Sequence, residues 1–269
     1  MEKIDQVNYG NWISVSRIKC IVAAFEIALV LCLLSFGSFI NSWPLVITLI
    51  VRTILILVLI ISLTIGVYFY ICRRLFSYDG RYLVQNKILD YVLAHLPLEK
   101  GSILDIGCGN GALSIKSAKK SQNIKVIGID YWGYMWDFAK EQCETNARLE
   151  GVGDRVVFQK GDAAKLDFPD ESFDGAISNF VFHEVKSQPD KRLVVREALR
   201  VVKKGGVFAF HDLFYEKIFY GDIKEFIEEL KNEGISEIHL LRSSNETFIP
   251  GILRIRPMLG GIGLIYGKK

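Results

Sequence analysis

The sequence has few of the residues that mark disulfide-rich, metal-binding or nucleic-acid-binding proteins. Its 269 residues include 5 cysteines and 4 histidines, and no two cysteines stand in the CxxC spacing of a metal site. We therefore predict no metal centre. The formal net charge is only +3, which is too small to favour a nucleic-acid partner.

Charge is almost absent between residues 20 and 71. Residues 20–40 contain a single charged side chain, Glu26, and residues 53–71 contain none. Because a bilayer core of roughly 30 Å needs about 20 apolar residues in a helix, each run is long enough to span it. The sequence predicts a transmembrane helical hairpin over residues 20–72. A cleaved signal peptide is disfavoured, since the second run follows directly without a small-residue cleavage site. A buried hairpin in a soluble fold is the remaining alternative.

The charges that flank the two apolar runs predict an orientation. Lysine and arginine stand outside the runs, at Arg17, Lys19, Arg73 and Arg74. The connection over residues 41–44 is uncharged, so the positive-inside rule predicts that both ends of the hairpin are cytoplasmic. Residues 1–19 would form a cytoplasmic N-terminus and residues 80–269 a cytoplasmic catalytic domain, with the lipid bilayer as a partner.

Two charged side chains within or beside the apolar runs need separate explanations, because a charge inside hydrocarbon is costly. Arg52 stands near the outer end of the second run, where we expect its guanidinium to extend to the lipid headgroups. Glu26 lies about two turns inside the first run, and the sequence leaves its role open.

From residue 80 onward, short apolar runs alternate with amphipathic stretches, which is typical of an α/β domain with a largely parallel sheet. Helices are predicted at about 81–95, from 112, and at 134–149, 191–202 and 223–232. We read the glycine pair at 205 and 206 as the stop signal of the fourth of these helices. The seven predicted strands cover residues 102–106, 125–129, 156–159, 173–178, 207–211, 237–241 and 263–266.

A glycine-rich loop joins the first predicted strand to the helix that follows it. Residues 104–111 read Leu-Asp-Ile-Gly-Cys-Gly-Asn-Gly. Glycine allows the backbone to turn sharply and to approach a ligand closely, and a helix N-terminus offers unpaired N–H groups. By itself the loop is a weak signal, because many nucleotide-binding folds carry a glycine-rich first turn and a glycine pair can also form only a tight turn.

Two acidic residues at the ends of the next strands narrow the interpretation. Asp130 ends the second strand, 19 residues after Gly111, where a carboxylate accepts the two hydroxyls of an adenosine ribose. Asp162 follows the third strand, a place from which a carboxylate reaches the exocyclic amine of adenine. Three successive strand ends thus outline a site for a nucleoside.

These residues resemble the class I S-adenosylmethionine-dependent methyltransferases. The resemblance rests on residues 104–111, 127–131, 161–174 and 178–183, and extends over about residues 81–269. The loop has the family's GxGxG spacing, with Asp105 two residues before the first glycine. It looks most like the small-molecule branch that includes quinone and sterol methyltransferases. The resemblance implies a Rossmann-like, seven-stranded, mostly parallel sheet and S-adenosylmethionine as cofactor.

The resemblance also implies roles for individual residues. Asp105 would hold the methionine ammonium, and the loop residues Gly107, Cys108 and Gly109 would lie against the cofactor. Asp130 would bind the ribose. The remaining positions would contact adenine or the methionine end: Tyr131 or Trp132 on one adenine face, Asp162 and Ala163 at the adenine edge, and Asn179 towards the methionine and the acceptor.

A histidine after the fourth strand is the predicted catalytic base. His183 follows that strand closely, and His211 ends the fifth strand, so both lie at the edge where parallel sheets bind ligands. An imidazole near neutral pKa suits proton removal from an acceptor, although an ordinary loop position explains either residue as well. The sequence has no Asn-Pro-Pro-aromatic motif, which argues against DNA bases and protein glutamine as acceptors.

The acceptor itself is predicted only as a class. Apolar residues 180–182 and the predicted hairpin favour a small, hydrophobic or lipid-like molecule at a membrane surface. Two other functions stay open: an NAD-dependent oxidoreductase on a similar fold, which the loop spacing disfavours, and a noncatalytic membrane-anchored cofactor-binding scaffold. The oligomeric state is not predicted.

Overall fold

A computed structural model describes residues 6–78, 83–132, 140–256 and 258–269. The chain divides into two compact units. One, the helical unit, comprises residues 11–85. The other, the sheet unit, comprises residues 86–269 together with residues 1–10.

The helical unit is a hairpin of two long helices. Helix α1 runs over Val15–Leu34, the short α2 over Ser38–Asn41 and α3 over Leu45–Leu75. Ser14 caps α1 by accepting the backbone N–H of Arg17. The side chain of Ile21 in α1 faces Gly66 in α3, and Arg52 in α3 reaches Ser35 just after α1. The two helices therefore run antiparallel.

Among the described residues, one helix is long and apolar enough to cross a membrane. It is α3, whose 31 residues include a stretch with a mean hydropathy of 2.9. Only 6% of this stretch is buried by the rest of the protein. Helix α1 is also apolar on its surface, but its 20 residues include Arg17, Lys19 and Glu26. The expected pair of spans is thus supported at one helix, and α1 as a second span stays a prediction.

Arg52 binds the turn of the hairpin, which differs from the expected extension towards headgroups. Its Nη2 donates to the carbonyl oxygen of Ser35 at 2.8 Å and to Oδ1 of Asn41 at 2.5 Å. The guanidinium carbon also lies 4.4 Å from the ring centroid of Phe36, a cation–π distance. The charge is therefore satisfied by the Ser35 carbonyl, which the end of α1 leaves unpaired, and by the side-chain amide oxygen of Asn41.

The described part of the sheet unit contains seven strands in one sheet, as the sequence predicts. The order is β3-β2-β1-β4-β5-β7-β6, and all pairs are parallel except those made by β7. The strands are β1 Gly101–Ile106, β2 Ile124–Asp130, β3 Val156–Lys160, β4 Phe173–Asn179, β5 Val202–Asp212, β6 Glu237–Leu241 and β7 Gly263–Lys268. The order reverses direction between β1 and β4, and ligands bind parallel sheets at such a switch point.

Helices connect these strands at the predicted positions. They are α4 Val84–Ala94, α5 Ala112–Lys120, α6 Lys140–Leu149, α7 Lys191–Arg200, α8 Lys217–Tyr220 and α9 Ile223–Asn232. Short 3₁₀ turns occupy Phe182–Glu184, Ser243–Asn245 and Gly251–Leu253. The predicted helix starts at residues 81 and 134 lie outside the described residues.

The glycine pair at 205 and 206 does not end a helix, which corrects one sequence-based expectation. Helix α7 ends at Arg200, and β5 begins at Val202, so both glycines lie inside the strand. A side chain at Gly206 would approach a methyl carbon of Val202 to 2.8 Å. Gly205 has a φ of 74°, and the pairing of β4 with β5 shifts register in this region. The glycines accommodate this irregularity.

The core of the sheet unit is rich in phenylalanine. Burial of an aromatic or large aliphatic side chain stabilises a fold by roughly 1.5–3 kcal/mol, so the core holds the central strands firmly. Five fully buried rings belong to it: Phe182, Phe208, Phe210, Phe214 and Phe226. Because β1, β2, β4 and β5 are parallel neighbours in this core, their carboxyl ends form one continuous edge.

Candidate functional site

The glycine loop after β1 adopts a backbone that only glycine accommodates easily. Gly107, Gly109 and Gly111 have φ values of 74°, 55° and 82°. A Cβ on Gly107 would lie 2.1 Å from a methyl carbon of Val181, the residue that follows β4 by two positions. The backbone N–H groups of Gly107 and Cys108 both donate to the carbonyl of Ile129 in β2. The loop is thus pressed against β2 and the segment after β4.

Asp105, in β1, holds a buried carboxylate that is only half satisfied. Its Oδ2 accepts a hydrogen bond of 2.5 Å from the Ser114 hydroxyl on α5, whereas its buried Oδ1 has no partner in the described part of the chain. Burial raises the pKa of Asp105 to about 7; the Asp130 charge adds to the rise and the Ser114 bond opposes it. An unpaired buried acceptor costs about 1–3 kcal/mol, so this oxygen fits a cationic ammonium ligand.

Asp130, at the end of β2, organises the glycine loop. Its Oδ2 accepts the N–H of Gly109 at 2.8 Å, and its Oδ1 accepts the N–H of Trp132 at 2.9 Å. The Trp132 indole N–H donates in turn to the Gly109 carbonyl at 3.0 Å. An ionised carboxylate has about four acceptor positions, so two remain for ligand hydroxyls. Tyr131 is 63% exposed, with Lys160 Nζ 4.9 Å from its ring centroid.

Asp162, beyond β3, is fixed by its neighbours in the loop. Its Oδ1 accepts the N–H of Ala164 and the hydroxyl of Ser187, each at 2.9 Å. Ala163 is buried beside it. Ser187 was not predicted as a site residue, because it stands 25 positions from its partner in a polar loop without a motif.

Cys108 contributes its backbone to the loop and a buried thiol to the packing. Burial raises the pKa of this thiol well above its usual range, so it stays protonated. The neighbouring thiol of Cys143, on α6, donates to the Gly109 carbonyl at 3.1 Å. The buried Cys108 thiol is therefore a packing group and not a nucleophile of this site.

Asn179, the last residue of β4, is oriented by His211. Asn179 Oδ1 lies 2.9 Å from His211 Nδ1, and His211 Nε2 lies 2.8 Å from the Ser243 hydroxyl. Full burial lowers the pKa of His211 to about 4, so the imidazole is neutral at physiological pH. Both of its ring nitrogens are engaged, and this histidine holds Asn179 in place without an exposed basic nitrogen.

His183 forms a pair with Asp212, the last residue of β5. His183 Nδ1 lies 2.6 Å from Asp212 Oδ1. Asp212 Oδ2 accepts the backbone N–H groups of Val181 at 3.1 Å and Phe182 at 2.8 Å. The sequence analysis assigned no role to Asp212, since the two residues are 29 positions apart in the chain.

The electrostatics of the pair favour a basic histidine. Burial opposes protonation of His183, but the Asp212 charge and hydrogen bond outweigh it, and the pKa of His183 is raised above its usual value. The His183 charge and the backbone N–H groups overcome the burial of Asp212 and hold its pKa below the ordinary range. With Nδ1–H directed at the carboxylate, Nε2 carries the lone pair. The His183 side chain is 14% exposed and lies near the rings of Phe180 and Phe219.

Comparison with known proteins identifies the central part of the sheet unit. Residues 104–210 match the family model of the methyltransferase domain. The match extends from β1 into β5 and includes the glycine loop, Asp130, Asp162 and His183. The predicted S-adenosylmethionine-dependent methyltransferase domain is thereby confirmed, with S-adenosylmethionine as its cofactor.

Three curated relatives differ in what they methylate. The 27-O-demethylrifamycin SV methyltransferase of Amycolatopsis mediterranei is 35% identical over 128 residues, which are 47% of this chain and 44% of the relative. The sterol 24-C-methyltransferase erg6 of Aspergillus fumigatus is 28% identical over 60% of this chain and 40% of its own length. The phosphatidylethanolamine N-methyltransferase of Cereibacter sphaeroides is 35% identical over 42% of this chain and 51% of its own length. The chain thus spans about half the length of these relatives.

Solved structures support the fold. The crystal structure of the [4+2]-cyclase SpnF superposes with a TM-score of 0.51 and 19% identity, over 68% of this chain and 81% of that one. A likeness at this identity concerns the architecture of the sheet and its helices, and it carries no information on the reaction.

Proposed function

We propose that this chain transfers a methyl group from S-adenosylmethionine to a small, hydrophobic or lipid-like acceptor at a membrane surface, with His183 as general base. The observation that carries the proposal is the pair of His183 and Asp212 at the ends of β4 and β5, on the same sheet edge as the half-satisfied carboxylate of Asp105. One side of the edge suits the methyl donor and the other suits an acceptor with a proton to lose.

The residues after β1, β2 and β3 would bind the cofactor, which supplies a methyl group already activated on a positively charged sulfur. Asp105 would accept the methionine ammonium with its unpaired oxygen. Asp130 would accept the ribose hydroxyls while it keeps the glycine loop in place, and Asp162 with Ala163 would meet the adenine edge. Tyr131, exposed beside Asp130, is placed to cover an adenine face.

On the acceptor side, His183 Nε2 would take the proton of the attacking hydroxyl, amine or acidic carbon. When bound, S-adenosylmethionine would supply the methyl carbon, whose bond to sulfur would break as its bond to the acceptor formed, and the sulfur would be left neutral. The proton ends on His183, whose imidazolium is stabilised by the buried Asp212 carboxylate 2.6 Å away. Asp212 holds the imidazole in one tautomer because its other oxygen is fixed by two backbone N–H groups.

The acceptor class rests on apolar surroundings and on the relatives together. The side chains next to His183 include the rings of Phe180 and Phe219. Two of the relatives are named for a sterol and for a phospholipid. These two names favour a lipid-like acceptor for this chain as well. The three relatives' names together specify carbon, nitrogen and oxygen acceptors, so they do not indicate which atom receives the methyl group.

The membrane location rests on the helical unit. Helix α3 exposes apolar side chains along its whole length, such as Leu45, Leu49 and Ile60, and a protein surface of this kind requires a lipid or protein cover. We propose that α1 and α3 insert as a hairpin with the sheet unit on the cytoplasmic side. Extraction of membranes at alkaline pH should leave the protein in the pellet, and a protease added outside intact cells should not cleave residues 86–269.

The test of the activity uses full-length protein, a membrane lipid extract and methyl-labelled S-adenosylmethionine, with mass analysis of the labelled product. Label in a lipid fraction that disappears with His183→Ala would support the proposal. Label only in water-soluble compounds would contradict the acceptor class. Calorimetry separates the alternative, because an NAD-dependent oxidoreductase would bind NAD and not S-adenosylhomocysteine.

A further inference from the structure

A short segment before the helical unit lies on the cofactor loop. Residues 7–10, which we call the N-terminal strap, belong to the compact sheet unit although 75 residues separate them from Asn86. The backbone N–H of Asn8 donates to Asn146 Oδ1 at 2.9 Å, and Asn146 Nδ2 donates to the Asn8 carbonyl at 2.8 Å. The side-chain amide of Asn146, on α6, thus pairs with the strap backbone as a neighbouring strand would.

The same contacts extend to the glycine loop. Asn146 Nδ2 also donates to the carbonyl of Asn110 at 3.1 Å, and Asn110 Nδ2 donates to the carbonyl of Tyr9. Asn110 lies between Gly109, which is held by Asp130, and Gly111, which precedes α5. Strap, loop and α6 are therefore joined through two asparagine side chains.

Tyr9 adds a second attachment to the sheet unit. Its ring is buried, and its hydroxyl donates to Glu150 Oε1 at 3.1 Å. The other oxygen of Glu150 forms an ion pair of 2.5 Å with Lys119 near the end of α5. The strap is therefore attached to α6 through Asn146 and, by way of Glu150, to α5; these two helices follow strands β1 and β2.

Burial shows that the contacts are not incidental. Asn146 is fully buried and Asn110 nearly so, and a buried amide that lost its partners would be destabilised by about 1–3 kcal/mol. Without the strap, the Tyr9 carbonyl would no longer hold Asn110, and Asn146 would lose two of its partners.

We propose that the N-terminal strap, through its hydrogen bonds with Asn146 and Asn110, positions the glycine loop for S-adenosylmethionine binding. It acts by holding the glycine loop in its ligand-binding conformation and does not itself contact the reacting atoms. This inference rests on the proposed function, because it assigns the loop to the cofactor. Gly10 is followed directly by Asn11, the first residue of the helical unit, so the strap is also the segment through which the chain passes from the sheet unit into the helical unit.

The experiment changes the strap and leaves the sheet residues intact. In the full-length protein, Asn8→Pro removes the N–H that Asn146 accepts, whereas Asn8→Ala keeps the backbone contacts and loses only the local turn to Gly10. Calorimetry with S-adenosylhomocysteine should give a dissociation constant about tenfold higher for Asn8→Pro, which corresponds to about 1.4 kcal/mol, and no more than about twofold higher for Asn8→Ala.

A double-mutant cycle tests that the effect passes through Asn146. Asn146→Ala should weaken binding at least as much as Asn8→Pro, because it also removes the bond from Asn146 to the Asn110 carbonyl. The double variant should be little weaker than Asn146→Ala alone, because the contact between residues 8 and 146 is then already lost. Glu144→Ala, on the exposed face of the same helix, should bind like the wild type. Hydrogen exchange of residues 108–112 should be faster in Asn8→Pro, without cofactor present.

Three results would overturn the inference in distinguishable ways. Wild-type affinity in both Asn8→Pro and Asn146→Ala would leave the strap without a role in binding. Additive losses in the double variant would mean that the two residues act separately. A wild-type protein that binds no S-adenosylhomocysteine would remove the proposed function first, and the strap inference with it.

Discussion

The two halves of the sheet edge are built differently. On the proposed donor side, after β1, β2 and β3, the candidate ligand groups lie in short continuous segments, and backbone conformation does much of the positioning, as at Gly107 and Gly109. On the acceptor side, after β4 and β5, the positioning is done by side-chain pairs such as His183 with Asp212 and Asn179 with His211. A glycine loop can hold one constant ligand, whereas side-chain pairs can be varied to suit different acceptors.

The largest expected effect lies on the acceptor side. His183→Asn should lower kcat by about 10³-fold, within the 10²–10⁴ range of general acid–base catalysis, and should leave the dissociation constant of S-adenosylhomocysteine unchanged. His239→Asn, which changes an exposed histidine on β6, is the matched control. Turnover of His183→Asn within twofold of the wild type would remove the residue from the mechanism.

The pH profile should identify Asp212 as the partner. The base must be neutral, so kcat should fall as the pH drops below the raised pKa of His183. Asp212→Asn removes the charge that stabilises the imidazolium, so the acidic limb of the profile should move to lower pH. An unshifted limb in this variant would assign the ionisation to another group.

The next largest effect should come from filling the space between Gly107 and Val181 on the donor side. Gly107→Ala should weaken S-adenosylhomocysteine binding by about 100-fold, or roughly 2.7 kcal/mol, because its new methyl group would displace Val181 and the loop. Gly151→Ala is the control, since Gly151 has a similar φ of 72° but open space around it. Equal affinities in the two variants would mean that crowding against Val181 at Gly107 does not control binding, and circular dichroism should show both variants folded.

The features that could be predicted from the sequence are those set by residues close together in the chain. The strands, their order of appearance and the carboxylates at residues 105, 130 and 162 follow from local hydrophobic patterns and from one spaced motif. Helix α9 and strand β6 occupy the predicted residues 223–232 and 237–241. These features depend on neighbours in the chain, so a single sequence carries the signal.

The features that the sequence did not predict depend on distant partners. Asp212 gains its role only when β5 lies beside β4, and Asn146 only when the strap returns to α6 across 138 positions. The glycines at 205 and 206 were read as a helix stop, but the register of β4 against β5 places them in a strand. Arg52 reaches Ser35 and Asn41 only because the helical unit turns back on itself.

A pH-dependent effect of similar size should come from the ionisation of Asp105. The pKa of Asp105 is about 7, above that of an exposed carboxyl group. Between about pH 4 and 7 the folded protein without ligand therefore binds one proton more at this residue than the unfolded chain does. The stability of the ligand-free protein should then fall as the pH rises through this range. An ammonium ligand needs the ionised form, so affinity for S-adenosylhomocysteine should instead rise over the same range, by up to about tenfold per pH unit below 7.

The Asp105→Asn variant should remove both trends while it keeps an acceptor for Ser114. Calorimetry and thermal unfolding between pH 5 and 8 measure affinity and stability on the same samples. If affinity in the wild type does not depend on pH, the ammonium does not bind at Asp105.

The smallest expected effect comes from the loss of one side-chain hydrogen bond on the donor side, that between Ser187 and Asp162. Ser187→Ala removes the hydroxyl that binds Asp162 Oδ1, but the N–H of Ala164 still holds the same oxygen. We expect the dissociation constant of S-adenosylhomocysteine to rise by about two- to threefold, at the low end of about 0.5–1.5 kcal/mol for one hydrogen bond. Ser172→Ala, which removes a serine bond to the Pro169 carbonyl in another exposed loop, is the control. A loss above tenfold would mean that Asp162 depends on side-chain pairing as His183 does, and the contrast between the two halves would then stop at β3.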